Sequence, residues 1–429
     1  MNIGIGFLGF GHIGSGVWGV LNANADTIAH KEGTTFTLRR ALVRDLRKPR
    51  AAALPDGVLT DRFEDILGDP GISVVAEFMG GVDPACGYIE ALLRAGKSVV
   101  TANKEVIAQR WHRLETAARE GGAGLYYEAS VGGGIPVIRT ITDSLQANDI
   151  DSVMGIINGT TNHILTRMSE QGRSYDAALR EAQEDGLAEP DPRNDVEGFD
   201  AAYKLSILSS LAFHARVPVD RVYREGITRM TPEVIRYGQE LGYAVKLLAI
   251  GKKRGTSIEA RVHPTFIPEN HPLASVRGAY NAVFLHGNAV GNLMLYGRGA
   301  GDLPTASAIV SDCIVAAKAK DHRYNSFRNE ARPAPEVAFD GNWQTKYFLN
   351  LEVIDRPGVL AAIAGILARR QVSVASLIQK GYGTATVPLI FVTHQTYEQS
   401  MLQAVREIES LPDIIEIKAL IRVEDEDSA

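Results

Sequence analysis

Ile3-Gly-Ile-Gly-Phe-Leu-Gly-Phe-Gly-His-Ile-Gly14 runs directly into the helix-like segment Ser15–Ala29. An apolar strand, three spaced glycines and a helix follow in the order a dinucleotide fold requires. Gly9 permits a tight turn, Gly11 lets a pyrophosphate approach the backbone, and Gly14 allows close helix packing. The phosphates would then lie at the helix N-terminus, beside His12 and Ile13. Glycines at this spacing also serve as plain packing positions in other α/β domains, so the context decides. Strand patterns follow at Phe36–Val43, Val74–Phe78, Ser98–Thr101 and Leu125–Ala129, with helix patterns at Pro84–Ala95 and Glu105–Arg119. Alternation of this kind predicts an α/β fold with a Rossmann-type, parallel, doubly wound sheet.

The second strand ends in Val43-Arg44-Asp45-Leu-Arg47-Lys48. A guanidinium at Arg44, with Lys48 near it, suits the 2′-phosphate of NADP. Asp45 would serve the ribose hydroxyl of NAD if the strand ended one residue later. NADP is favoured. Thr101-Ala-Asn-Lys104 stands at the carboxyl end of a strand, where open α/β sheets bind ligands, and Lys104 opens a helix, the end that the macrodipole disfavours for a cation. Glu128-Ala-Ser-Val131-Gly-Gly133-Gly-Ile135 combines a carboxylate with a glycine-rich turn. Such a turn can offer oxygens to a hard monovalent cation or can be a plain connector.

The third decisive stretch is Gly186-Leu-Ala-Glu-Pro-Asp-Pro-Arg-Asn-Asp-Val-Glu-Gly-Phe-Asp-Ala-Ala-Tyr-Lys204, continuing to Phe213. Its prolines and Gly198 make the first half a loop, and the second half reads as a helix. Between Gly198 and Phe213 only Asp200 and Lys204 carry formal charge, four residues apart and therefore side by side. On a helix this apolar, burial is expected. A buried pair is costly unless it serves a function, which sets it apart from a surface ion pair.

Length and composition bound the rest. With 429 residues, 45% of them hydrophobic, there is material for about three domains. Acidic and basic residues, 51 and 45, are mixed along the chain and leave no basic patch for nucleic acid. Two cysteines, Cys86 and Cys313, give no disulfide framework, and no apolar run is long enough for a membrane span. The expected location is the cytoplasm, and the expected partner is a small molecule.

From residue 151 the pattern turns mixed: a strand at Ser152–Ile157, the turn Asn158-Gly-Thr160, helices, and strand-like runs at Ile258–Phe266 and Ala282–Leu295 with a turn at Gly287-Asn288. Gly297-Arg-Gly299-Ala-Gly301 precedes an apolar helix, Thr305–Ala319, expected to return to the first domain. The predicted organisation is a dinucleotide-binding domain over 1–150, completed by about 300–320, a substrate-binding and dimerisation domain over 151–299, and a linker over 321–346. Residues 347–429 follow as βαββαβ, a ferredoxin-like unit: strands at Tyr347–Ile354, Val372–Lys380, Thr386–His394 and Ile415–Val423, helices at Val359–Arg370 and Tyr397–Leu411. The tail, Glu424–Ala429, is expected to be disordered.

On these residues the chain resembles homoserine dehydrogenase of the form with a C-terminal ACT domain, over essentially its whole length. Glu189, Asp195, Asp200 and Lys204 fall on the substrate-site motif of that family, with Gly186 and Gly198 in register. The nucleotide glycines, Thr101-Ala-Asn-Lys104, Asn158-Gly-Thr160 and Gly299-Ala-Gly301 match as well. Leu187 stands where the family often has an aromatic residue, and Arg298 interrupts a segment that often carries proline. The resemblance implies interconversion of L-homoserine and L-aspartate 4-semialdehyde with NADP or NAD. In it Lys204 is the acid/base, oriented by Asp200, and Lys104 a second lysine at the reacting oxygen. Glu189 receives the substrate ammonium, Asp195 and Thr160 complete the substrate site, and Thr101 and Gly301 join the cofactor contacts. A structural Na⁺ held by Glu128 and the backbone of Val131, Gly133 and Ile135 is implied too, as are a homodimer or homotetramer and feedback by L-threonine through the ACT unit. A dehydrogenase for another small amino acid or semialdehyde, and a pure amino-acid sensor on a dead scaffold, stay open. The intact Lys204, Asp200 and Glu189 speak against the sensor.

Overall fold

The computed structural model describes residues 1–50, 54–331, 336–381 and 384–425. They form two compact units: Met1–Val153 with Tyr203–Val222 and Tyr280–Val337, and Met154–Ala202 with Tyr223–Ala279 and the chain from Ala338 onward.

The first unit opens with β1 (Asn2–Leu8), α1 (His12–Ala23), α2 (Ala25–Glu32), β2 (Thr35–Leu42), β3 (Leu59–Thr60) and α3 (Glu64–Leu67). It continues with β4 (Val74–Glu77), α4 (Ala85–Arg94), β5 (Ser98–Thr101), α5 (Lys104–Gly121) and β6 (Leu125–Tyr126). The six strands are parallel, in the order β3-β2-β1-β4-β5-β6. This is the expected doubly wound sheet, and its order reverses between β1 and β4, where such sheets open a ligand crevice. The strand expected over Leu125–Ala129 stops at Tyr126, because Glu128–Ser130 turns into a 3₁₀ helix. A one-turn helix, α6 (Val137–Arg139), follows, and β7 (Ile150–Ile156) carries the chain from the first unit into the second.

The next elements are α7 (Gly159–Gln171), α8 (Tyr175–Glu184), α9 (Arg193–Val196), α10 (Phe199–Phe213), β8 (Tyr223–Arg224) and α11 (Pro232–Glu240). The short α9 lies inside the stretch read as loop. Then β9 (Tyr243–Arg254) and β10 (Ser257–Pro268) pair antiparallel over their full lengths. β9 escapes a sequence reading because it is buried on both faces and carries buried Lys246 and Lys252, so it shows no alternation. A hairpin of β11 (Tyr280–Gly287) and β12 (Gly291–Arg298) and then α12 (Asp302–Lys318) lie in the first unit. Ala306, Ile309 and Cys313 of α12 share one apolar cluster with Phe7, Val17 and Leu21.

The C-terminal segment supplies β13 (Ala338–Phe339), β14 (Gln344–Ile354), α13 (Val359–Arg369), β15 (Val374–Gln379), β16 (Thr386–Thr393), β17 (Thr396–Tyr397), α14 (Glu398–Glu409) and β18 (Ile414–Val423). Tyr347, Leu349, Leu351 and Val353 line one face of β14 at period two and meet Ile363 and Ile366 of α13 and Met401 and Ile408 of α14. The βαββαβ pattern holds, with strand order β18-β14-β16-β15.

Three further features differ from expectation. Part of the 321–346 stretch is sheet: β13 pairs parallel with β10, and Trp343 is 3% exposed. β18 pairs parallel with β10, Thr265 opposite Arg422 and Phe266 opposite Val423, so the ACT-like unit continues the sheet of β9 and β10. The tail is not free at its start, since Glu424 is 1% exposed and accepts from Arg261 Nη2 at 2.5 Å and Lys252 Nζ at 3.0 Å. Residues 426–429 of the expected disordered tail lie outside the described residues.

Candidate active site

The crevice predicted by strand order is present at the carboxyl ends of β1, β4 and β5. Gly9, with φ +99°, makes the turn after β1, a conformation that a side chain would strain. A Cβ added at Gly11 would meet nothing within 4 Å, which leaves the backbone before α1 open to a phosphate. His12 is exposed, its Nδ1 3.8 Å from Asp302 Oδ2. A cleft of about 180 Å³ is lined by Ile13, Phe78, Gly80, Gly81, Asn103 and Lys104, among others. This brings the glycine loop and Lys104 to one cleft. Gly301, φ +112°, precedes α12 in the same unit.

A buried network holds Lys104 in place. Glu77, the last residue of β4, is fully buried, and its Oε2 accepts from Thr101 Oγ1 at 2.5 Å. Thr101 Oγ1 accepts in turn from Asn103 N at 2.9 Å. Asn103 caps α5 by accepting from Val106 N, and its amide donates to Gly81 O at 2.7 Å. Burial pushes the Glu77 carboxyl above its ordinary range, opposed by the Thr101 hydrogen bond. Thr101 is therefore a support beneath Lys104. The sequence did carry a signal for Glu77, a carboxylate ending an otherwise apolar strand, that the reading passed over.

Arg44, Asp45 and Lys48 are exposed in the loop after β2. Asp45 Oδ1 accepts from Arg47 N at 2.8 Å, so the carboxylate is engaged within its own loop. Arg50 was missed: its Nη1 donates to Phe10 O of the glycine loop at 3.0 Å and its Nη2 to Asp45 O at 2.6 Å. Nothing local in the sequence marks it out from the other cations of that loop.

In the Glu128 turn, both carboxylate oxygens accept backbone N–H groups of α6, from Ile138 at 2.9 Å and Arg139 at 2.8 Å. Glu128 N donates to Asp312 Oδ2 at 2.9 Å, and Arg139 pairs with Asp312. Burial pushes the Glu128 carboxyl up to about 7. Gly133 is tight against Gly299, whose carbonyl oxygen would be 2.5 Å from an added Cβ, while Val131 and Ile135 are buried.

In the second unit Asp195 and Asp200 meet at Asn158, which is 5% exposed. Its Nδ2 donates to Asp195 Oδ1 at 2.6 Å and Asp200 Oδ2 at 2.9 Å, while its Oδ1 caps α7 through Thr161 N at 2.9 Å. One amide thus binds two carboxylates and fixes them to a helix start. Gly198 has φ +81°, and a Cβ there would lie 3.2 Å from Val262 and 3.3 Å from Arg224. Asp200 and Lys204 share a face of α10 as predicted. Asp200 is buried, but Lys204 is only half-buried, so the fully buried pair expected from composition is half realised. Tyr203 OH, next to Lys204, accepts from Gln109 Nε2 of α5 at 3.5 Å within the first unit. Thr160 Oγ1 donates to Leu187 O at 2.8 Å, which fixes the loop that carries the exposed Glu189.

Comparison with known proteins bears on the whole chain. The family model described as homoserine dehydrogenase, NAD binding domain, matches residues 9–128, and that described as homoserine dehydrogenase matches 136–314. An AHAS small subunit-like ACT domain model matches 349–416. The homoserine dehydrogenase of Bacillus subtilis (strain 168) is 39% identical over 98% of each chain. The crystal structure of a homoserine dehydrogenase from Thiobacillus denitrificans superposes with a TM-score of 0.91 at 40% identity, covering 99% of each chain. A hyperthermophilic archaeal homoserine dehydrogenase in complex with NADPH superposes with a TM-score of 0.63 at 27% identity, over 75% of this chain and all of that one.

Proposed function

The chain belongs to the homoserine dehydrogenase family, and from that premise we propose how its own residues perform the interconversion of L-homoserine and L-aspartate 4-semialdehyde. The observation that carries the reading is the meeting of Asp195 and Asp200 at the Asn158 amide, at the start of α10, the helix that also carries Lys204.

Bound at the glycine loop, the nicotinamide dinucleotide would supply the acceptor for the hydride that leaves carbon 4 of homoserine. Gly9, Gly11, Ile13 and Gly14, with Thr101 beneath and Gly301 before α12, would hold it, His12 would lie at its phosphates, and Arg44, Lys48 and Arg50 would read its ribose end. We favour NADP, because the loop after β2 presents cations and its one aspartate is occupied. The NADPH complex of the archaeal relative agrees with that choice. As the hydroxyl becomes a carbonyl, Lys204 takes its proton, and it returns one in the reverse direction. Lys104 stands at the same oxygen and stabilises charge there. Asp200 orients Lys204, Asp195 completes the substrate site, and Glu189 receives the substrate ammonium. Thr160 acts by holding Leu187 and so the position of Glu189.

A sodium ion at Glu128 with the carbonyls of Val131, Gly133 and Ile135 belongs to the same proposal. A carboxyl that burial pushes up to about 7 gains from an adjacent cation. Its two existing N–H bonds leave lone pairs for that cation. The exposed turn Asp355-Arg-Pro-Gly358 before α13 is our candidate for the effector L-threonine where two ACT units meet, in a homodimer or homotetramer in the cytoplasm. No helix among the described residues is long and apolar enough to cross a membrane.

Initial rates with L-homoserine, L-threonine and L-serine, and in reverse with L-aspartate 4-semialdehyde, each with both cofactors, test the assignment. Homoserine and the semialdehyde should dominate, with NADP preferred. Faster turnover of another amino acid would assign the site to a different dehydrogenase.

A further inference from the structure

α7 and α8 form a hairpin whose facing sides carry charges that the mechanism does not use. One ring nitrogen of His163, one carboxylate oxygen of Glu181 and one of Asp185 lie within 4.8 Å of one another. Glu181 and Asp185 are four residues apart, so both project from one face at the end of α8. Asp185 N donates to Glu181 O at 2.9 Å, which keeps the helical register to that point. His163 reaches them from the facing helix. It is 7% exposed, and its Nε2 is buried without a hydrogen-bond partner. Buried ring nitrogens in folded proteins are normally bonded, and an unbonded one on an imidazole that stands beside two carboxylates points to a ligand.

We propose that His163, Glu181 and Asp185 bind one divalent ion of the zinc class, tying α7 to α8 where the substrate loop begins. One imidazole and two carboxylates are three protein ligands with a position left for water, a set that suits Zn²⁺. A hard monovalent ion would ask for more oxygens and no nitrogen. The imidazole is ready to ligate. Burial, assisted by Arg167, holds its pKa below the ordinary histidine value. Arg167 is the local competitor: its Nε lies 2.8 Å from Glu181 Oε1, and it cancels one of the two carboxylate charges. Its side chain is 33% exposed and can turn to solvent when the ion takes Glu181.

The position gives the ion a consequence. Asp185 directly precedes Gly186, and Leu187 N and Ala188 N both donate to Ala182 O, at 2.8 and 3.0 Å. Thr160 Oγ1, from α7, holds Leu187 O. An ion across the hairpin therefore fixes both anchors of the segment leading to Glu189.

The test is direct titration of the full-length protein, stripped by a chelator, with Zn²⁺ by calorimetry and with Co²⁺ by visible absorption, without substrate or cofactor. One ion per chain is expected, with Co²⁺ giving the intense bands of a low-coordinate site. Asp185→Asn and Glu181→Gln should each weaken binding at least about tenfold, since even outer-shell losses cost roughly 10–100-fold. Both carboxylates reach the surface, so these variants keep the fold. His163→Gln should abolish the Co²⁺ bands. Absence of stoichiometric binding, or binding by either carboxylate variant as tight as by wild type, overturns the proposal.

Discussion

Asn158 decides the site at the scale of a single residue. Two carboxylates, Asp195 and Asp200, share its amide, and the same side chain caps α7. Replacement by alanine removes two hydrogen bonds to charged groups and one cap. Asn158→Ala should cost about 1–3 kcal/mol of stability and lower kcat/KM for homoserine, with cofactor affinity nearly unchanged. Thermal melts with steady-state rates check this, and a variant of wild-type kcat/KM would remove Asn158 from the site. The sequence made the Asp200–Lys204 pair legible, because a four-residue spacing on an apolar helix is local information. It could not show that Asn158, tens of residues earlier, lies between Asp195 and Asp200, since only the tertiary fold creates that contact. Arg50 was hidden for the same reason, its partner Phe10 O lying far back in the chain.

Elements explain the cofactor end. The loop after β2 carries Arg44, Arg47, Lys48 and Arg50, and Asp45 is already bonded to Arg47 N. If these cations read the 2′-phosphate, Arg44→Asp replaces an attraction by a repulsion and should weaken NADP far more than NAD. Dissociation constants for both cofactors check it, and an unchanged ratio would assign the reading to Arg50 or Lys48. Parallel strands and their helices were legible here because each is a local pattern closed by glycine or a cap. β9 was not, because burial on both faces erases alternation and its buried lysines find partners in distant chain.

At the scale of the whole molecule, the second unit joins the ACT-like segment to the sheet of β9 and β10 by buried charge. Arg422 Nη2 donates to Glu398 Oε1 at 2.5 Å and to Tyr223 OH at 3.0 Å, and Arg422 Nη1 donates to Glu225 at 2.6 Å. Arg224, between those two partners, donates to Glu197 O at 2.5 Å and lies 3.4 Å from the Phe199 ring at the start of α10. A two-residue strand thus touches the ACT segment on one side and α10 on the other. No sequence pattern announces a parallel pairing as short as that of β10 with β18. Cutting the chain before Tyr347 would leave buried Arg261 and Lys252 without Glu424, so point variants are the better probes of regulation. L-Threonine should inhibit the full-length protein, and Asp355→Ala in the exposed turn should reduce that inhibition without changing the uninhibited rate. Equal inhibition curves would place threonine elsewhere.

The same network sets an acid limit. Arg261 and Lys252 hold the Glu424 carboxyl down to about 2 against its burial. Because the folded value is below the unfolded one, this stabilisation is complete above pH 4.5 and is lost as the pH falls towards 2. Wild type should therefore melt well above Glu424→Gln at pH 7, and the gap should close between pH 4.5 and about 2. A gap that does not vary with pH would show that Glu424 acts by shape alone.

On the proposed mechanism Lys204 moves the proton of the homoserine hydroxyl. The turnover of Lys204→Met with L-homoserine and saturating NADP tests this, with cofactor binding followed by fluorescence as a control on the fold. Turnover should fall by about 10²–10⁴, the scale of a lost general acid/base, while cofactor binding persists. A folded Lys204→Met enzyme with near wild-type turnover would contradict the mechanism.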